Sequence, residues 1–126
     1  MRGIKIINSS YTLKRWERDE SSALEIHDLL KRAIPLAPPP PRERVFDLFQ
    51  SFTKNYPRGT WLAMCEDQLM GVIMMMRGPS PQRARVAGAV DPEHWRSGVG
   101  SALWSTLLDE INTYPEVRQL QARTFE

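Results

Sequence analysis

The chain has 126 residues, 41% hydrophobic and 25% charged, with 17 basic against 15 acidic side chains, which suits one soluble domain around a single core. A net charge of +2 lacks the dense basic face that nucleic acid requires. One cysteine, Cys65, excludes an internal disulfide and fits a reducing compartment, while Leu69 to Met76, the longest near-continuous apolar run, is far short of a membrane span. Residues 1–7 are too short and too charged for a signal peptide. These features set the expectation of a cytoplasmic protein with neither nucleic acid nor membrane as partner.

Ile4 to Ile7 suits either a short strand or a lead-in, and residues 1–10 are assigned to a lead-in segment of the single domain 1–126. Tyr11 to Trp16 mixes aromatic and apolar residues with polar ones and is the first clear strand. Ser22 and Glu25 stand at capping-box spacing. They predict a helix running to about Ile34, with Ala23, Ile26, Leu30 and Ala33 along one face, widened by Leu29 and Ile34. Pro35 ends it, and the proline-rich run 35–41 reads as a stiff spacer. Pro41 suits the first turn of the next helix. In that helix Val45, Leu48, Phe49 and Phe52 have amphipathic spacing, and Asn55, Pro57 and Gly59 close it.

A β-meander follows. Thr60 to Cys65 is one strand, 66–68 a turn, and Leu69 to Arg77 a second strand with Gly71 as a bulge candidate. Residues 78–81 read as a loop, then Arg83 to Val90 forms a third strand. Ala84, Val86, Gly88 and Val90 share one of its faces. Met74, Met75 and Met76 alternate across the second strand, for core packing.

Asp91-Pro92 stops the third strand, since proline supplies no N–H and restrains its predecessor. Gly98 and Gly100 then bring bare backbone to the start of a helix with Val99, Leu103, Leu107 and Ile111 inward and Ser101, Ser105 and Asn112 outward. A helix start carries unpaired N–H groups and roughly half a unit of positive charge, a setting for phosphate. Tyr114-Pro115 breaks this helix, and Val117 to Thr124 reads as a last strand.

The pattern Val90-x-Pro92, five intervening residues, then Gly98-Val99-Gly100-Ser101-x-Leu103 resembles the acyl-CoA signature of the GNAT superfamily of N-acetyltransferases, over roughly residues 11–125. The element order agrees: strand, two helices, three antiparallel strands, signature helix, strand. The resemblance implies an α+β (α/β) fold with a mixed, mostly antiparallel sheet and helices on both faces. It implies acetyl-CoA as co-substrate, no metal, and a small-molecule or peptide amine as acceptor. It further implies that the strand before the signature splays from the one after it, so that pantetheine pairs with backbone at Gly88, Ala89 and Val90. The amides of Arg96, Ser97, Gly98, Val99, Gly100 and Ser101 would then cradle the pyrophosphate, with Trp95 counted among the cofactor-binding residues.

Three departures from the family pattern stand out. Trp95 occupies a place that usually holds Gln or Arg, and Ser97 one where a basic residue is common; weaker coenzyme binding is the expectation. Members also continue with a further helix and two strands, so the domain is expected to be C-terminally incomplete, completed by a second domain or by a homodimer. For proton removal from the amine the candidates are Asp91, Glu93 and His94, each of which also suits an ordinary solvated turn. Two functional readings remain open: an N-acetyltransferase, or a non-catalytic acyl-CoA-binding or protein-interaction module derived from that fold.

Overall fold

The computed structural model describes residues 4–6, 11–33, 40–94 and 97–125. Six strands form one sheet in chain order: β1 (Ile4–Ile6), β2 (Tyr11–Arg15), β3 (Thr60–Cys65), β4 (Gln68–Ser80), β5 (Arg83–Val90) and β6 (Gln119–Phe125). Every neighbouring pair is antiparallel except β5 and β6, which run parallel. The helices are α1 (Glu20–Ala33), α2 (Val45–Thr53) and α3 (Val99–Ile111). α3 is the crossover that a parallel pair requires. The fold is therefore mixed α/β with a mostly antiparallel sheet, as expected.

Strand alternation sorts the core into two layers. Trp61 and Ala63 of β3, Ile73 and Met75 of β4, and Ala84, Val86 and Val90 of β5 pack against Val99, Leu103 and Leu107 of α3. The intervening Leu62, Val72 and Met74 pack against Ala23, Ile26 and Leu29 of α1 and Val45 and Phe49 of α2. Helices thus cover both faces, and each fully buried Leu, Ile or Met contributes about 1.5–3 kcal/mol. Met74 and Met75 fall in opposite layers, as their alternation requires.

Several boundaries differ from the sequence reading. α1 starts at Glu20 and is capped by Asp19, whose Oδ2 accepts from the Ser22 amide at 2.9 Å. The expected box at Ser22 and Glu25 does not set the start. The Trp16 indole donates to the Asp19 carbonyl at 3.1 Å, which fixes the earlier cap. In α2, Thr53 is buried while Phe52 is 38% exposed, so the inward stripe is Val45, Phe49 and Thr53. A 3₁₀ turn, Arg42–Arg44, precedes it.

β4 continues to Ser80 in place of the expected loop at 78–81, and Gly78 permits it. A Cβ there would lie 2.0 Å from the Arg83 carbonyl oxygen. The bulge next to Gly71 falls on Met70, where the register shifts between Ala63 and Met64. Gly71 itself makes room for α3, since a Cβ would meet Leu103 and Val99 side chains at 3.1 Å. β6 begins at Gln119, and Val117 sits in the core ahead of it. Ile4–Ile6 pairs with β2 as an edge strand. The expected end of α1 at Ile34 and the spacer at 35–39 lie outside the described residues.

Candidate functional site

The C-terminal end of β5, the 3₁₀ turn Pro92–His94 and the start of α3 form one connected structure. Asp91 is its clamp. The Asp91 amide donates to the Met70 carbonyl at 2.7 Å, so the β4 bulge holds the strand end. Its Oδ1 accepts from the Glu93 amide at 3.0 Å, its Oδ2 from Arg32 Nε at 3.0 Å, and its carbonyl from the His94 amide at 2.8 Å. Burial pushes the Asp91 carboxyl up. The Glu93 amide and the Arg32 guanidinium outweigh that effect and hold it below the usual carboxylate value of 3.8.

Asp91 is thus a buried, doubly bonded anchor, where the sequence suggested a solvated turn acid or a weak base candidate. A group with a depressed folded pKa stabilises the fold above its unfolded value, and that contribution disappears as pH falls through the folded one. Asp91→Asn is expected to flatten the loss of melting temperature between about pH 5 and pH 2 relative to the unaltered chain. An unchanged slope in that window would place the acid sensitivity elsewhere.

Glu93 is exposed on the turn. His94 is half-buried, with Nδ1 2.7 Å from the Tyr11 hydroxyl and the two rings edge to face at 5.6 Å. The Ser97 hydroxyl donates to the His94 carbonyl at 2.6 Å, so this side chain closes the turn. Sequence reasoning missed Tyr11 and Arg32, which lie 83 and 59 residues from their partners, and no local signal could have paired them. Trp95 and Arg96 lie outside the described residues.

Gly98 is the N-cap of α3 in the left-handed region, with φ of 88°. That conformation costs other residues roughly 1–2 kcal/mol, which explains glycine here. A Cβ at Gly98 would meet nothing within 4 Å, so the position is open to a ligand. The Gly98 carbonyl accepts the first helical bond, from the Ala102 amide at 3.0 Å. The amides of Val99, Gly100 and Ser101 therefore have no acceptor within the helix. Among the described residues no side chain caps this terminus, and no acidic residue stands in its first turn. Such a mouth suits an anion of phosphate type.

β5 and β6 remain in register from Arg83↔Gln119 to Ala89↔Phe125, whereas the resemblance implies a splay there. Gly88 and Ala89 have register partners on both sides, Ile73 and Val72 on β4, Thr124 and Phe125 on β6. Val90 lies past the last β6 pair, opposite Gly71. Among the described residues no group of three or more His, Cys, Asp or Glu is placed to hold a metal, and no helix is long and apolar enough to cross a membrane.

Comparison with known proteins adds an independent line. The sequence model of a family described as "Acetyltransferase (GNAT) family" matches residues 23–124. No curated protein sequence matches significantly. Among solved structures, Ard1 from Thermoplasma volcanium is 20% identical with a TM-score of 0.65, over 91% of this chain and 70% of its own. The yncA protein from Salmonella typhimurium, solved with its cofactor acetyl-CoA, is 14% identical with a TM-score of 0.72, over 85% and 66%. The loading GNATL domain of CurA from Lyngbya majuscula is 16% identical with a TM-score of 0.69, over 89% and 63%. At these identities the likeness is one of fold, and the chain spans less than two thirds of some of these structures.

Proposed function

Because the chain belongs to the acetyltransferase (GNAT) family, whose fold serves acyl-CoA-dependent acetyl transfer, we propose that it binds acetyl-CoA and passes the acetyl group directly to an acceptor amine. The observation that carries this reading is the uncapped start of α3, with Gly98 at positive φ immediately after β5. In this reading the amides of Ser97 to Ser101 hold the pyrophosphate. Acetyl-CoA supplies the acyl thioester: the amine nitrogen takes the acyl carbon, the carbon–sulfur bond breaks, and the proton lost by the amine balances the one gained by the thiol.

The chain's own contribution is positioning. Arg32 and the Met70 carbonyl tie Asp91, at the end of β5, to α1 and β4. The bonds from the Glu93 and His94 amides to Asp91, and from Ser97 to the His94 carbonyl, hold the turn that leads to α3. Together they limit how the anion site can move relative to the strand. The row of β5 backbone groups that faces β6 suits a pantetheine arm and could polarise a thioester carbonyl. That row is occupied by Thr124 and Phe125. Exchanging one set of backbone hydrogen bonds for another costs little, so coenzyme is expected to displace the end of β6.

The test has two readouts. Acetyl-CoA should raise the melting temperature, by an amount equivalent to about 2.7 kcal/mol at a hundredfold excess over Kd, and should speed amide exchange at Arg123 to Phe125. No melting shift at millimolar ligand sinks the coenzyme reading; a shift with unchanged exchange sinks the strand displacement. A second reading, a non-catalytic acyl-CoA-binding module, is favoured by the placement of the candidate bases. β5 carries no carboxylate or histidine, Asp91 is occupied by Arg32, and Glu93 faces solvent. Acetyl-CoA binding without turnover over a broad amine panel would select it.

A further inference from the structure

The net charge of +2 conceals a segregated surface. Two hollows flank α1, and both are lined with carboxylates. One carries Glu17, Asp19, Glu25, Glu66 and Asp67 against Lys14; the other carries Glu25, Asp28, Asp67, Asp91 and Glu93 against Arg32. A third hollow, of about 590 Å³, straddles β5 and β6, lined by Met76, Arg85, Val86, Ala87, Gln121 and Ala122. Among the described residues no carboxylate lines it.

Alternation places the Arg85 side chain. Ala84 and Val86 are buried against α3, so Arg83 and Arg85 stand on the opposite face, and both are exposed. Among the described residues neither makes an ion pair. The amides of Arg118 and Gln119 both donate to the Gln82 carbonyl, at 2.8 and 3.0 Å. This double bond pins the entry of β6 beside the β4–β5 turn and brings a third exposed arginine, Arg118, to the same end of the strand pair. Gln121, in register with Arg85, adds an amide donor to the wall.

We infer that this hollow receives an acceptor amine that also carries carboxylate groups, such as an acidic amino acid or a peptide with acidic residues after its free N-terminus. The inference rests on the acyl-CoA reading above, which lays the donor along β5 and β6. From Val90 to Arg85 is five residues, roughly 16 Å at about 3.3 Å per residue, so the hollow lies down the strand from the α3 mouth. Guanidinium is the side chain whose planar fork matches a carboxylate in two places. In the hollows beside α1 carboxylates outnumber cations and repel the same ligand, so charge steers it to the β5–β6 side of the sheet.

The experiment uses the full chain saturated with CoA and measures binding of labelled peptides with free N-termini by fluorescence anisotropy at low salt. Glutamate binding is followed by NMR at the Arg85 and Gln121 amides. A Glu/Asp-rich peptide is expected to bind about tenfold more tightly than a neutral one, equivalent to about 1.4 kcal/mol. Arg85→Gln should remove that advantage, Arg83→Gln part of it, and Arg85→Glu should transfer it to a Lys-rich peptide. Peptide binding alone, glutamate binding alone, or both support the inference and identify the source of the carboxylates.

Equal affinity for acidic and neutral peptides, a tighter complex with an RNA oligonucleotide, or indifference to Arg85→Gln would overturn it. The acetyl-CoA melting shift, measured on the same proteins, separates this failure from that of the coenzyme reading. A shift retained without acidic preference condemns only the acceptor class.

Discussion

Ser101→Asp is expected to stabilise the protein and to abolish its acetyl-CoA response. Ser101 is exposed at the third position of α3, after the Gly98 cap. A carboxylate there meets the positive end of the helix and its free amides, which favours folding by about 0.3–1 kcal/mol. The same carboxylate occupies the donors that a pyrophosphate would use and repels its charge. At least a hundredfold loss of affinity is expected, about 2.7 kcal/mol. Opposite signs make this substitution more informative than a bulky residue at Gly98, whose positive φ would cost stability and confuse the readout. Ser101→Ala controls for loss of the hydroxyl and should keep the ligand shift. An undiminished shift in Ser101→Asp would place the anion away from α3.

Arg15→Met is expected to cost about 3 kcal/mol, at the low end for breaking a buried pair because Arg15 keeps 27% of its side chain in solvent. Arg15 Nη2 donates to Glu110 Oε1, and the guanidinium lies 4.8 Å over the Trp61 ring. Glu110 is 9% exposed and stands in the last turn of α3, which holds no basic residue. A carboxylate there opposes the helix dipole, so losing Arg15 leaves a charge with neither partner nor favourable field. Glu110→Gln should cost less, about 1–2 kcal/mol, because the dipole penalty disappears with the charge. The Arg15→Met, Glu110→Met double variant should recover most of the loss, giving a non-additive cycle. Urea denaturation of the four proteins measures this; a single-variant loss below about 0.5 kcal/mol would show the pair to be incidental.

Much of the architecture was legible because β3, β4 and β5 alternate between two layers on either side of the Met70 bulge and α3 is amphipathic. Trp61 and Leu62, or Val72 and Ile73, can satisfy only a sheet covered on both sides. Choices between two locally acceptable arrangements were not legible. Asp19 and Ser22 are both good caps, and the Trp16 indole on the Asp19 carbonyl decides between them. Gly78 reads as a loop residue until Arg83 is known to approach it. At the site, the glycine turn announced itself, whereas Asp91 with Arg32 and His94 with Tyr11 join residues brought together only by the folded sheet. The β5–β6 ladder up to Phe125 had no signature in either strand.

The division of the interior by the sheet has an optical consequence. Trp16, 2% exposed, belongs to the layer under α1 and α2, and Trp61, also 2% exposed, to the layer under α3. Each lies 4.8 Å beneath an arginine guanidinium, Arg18 and Arg15 respectively. Among the described residues there is therefore one dry indole on each side of the sheet. With Trp95 and Trp104 replaced by Phe, emission from chains retaining only Trp16 or only Trp61 reports separately on the two halves of the core, and coincident transitions would mark them as a single cooperative unit.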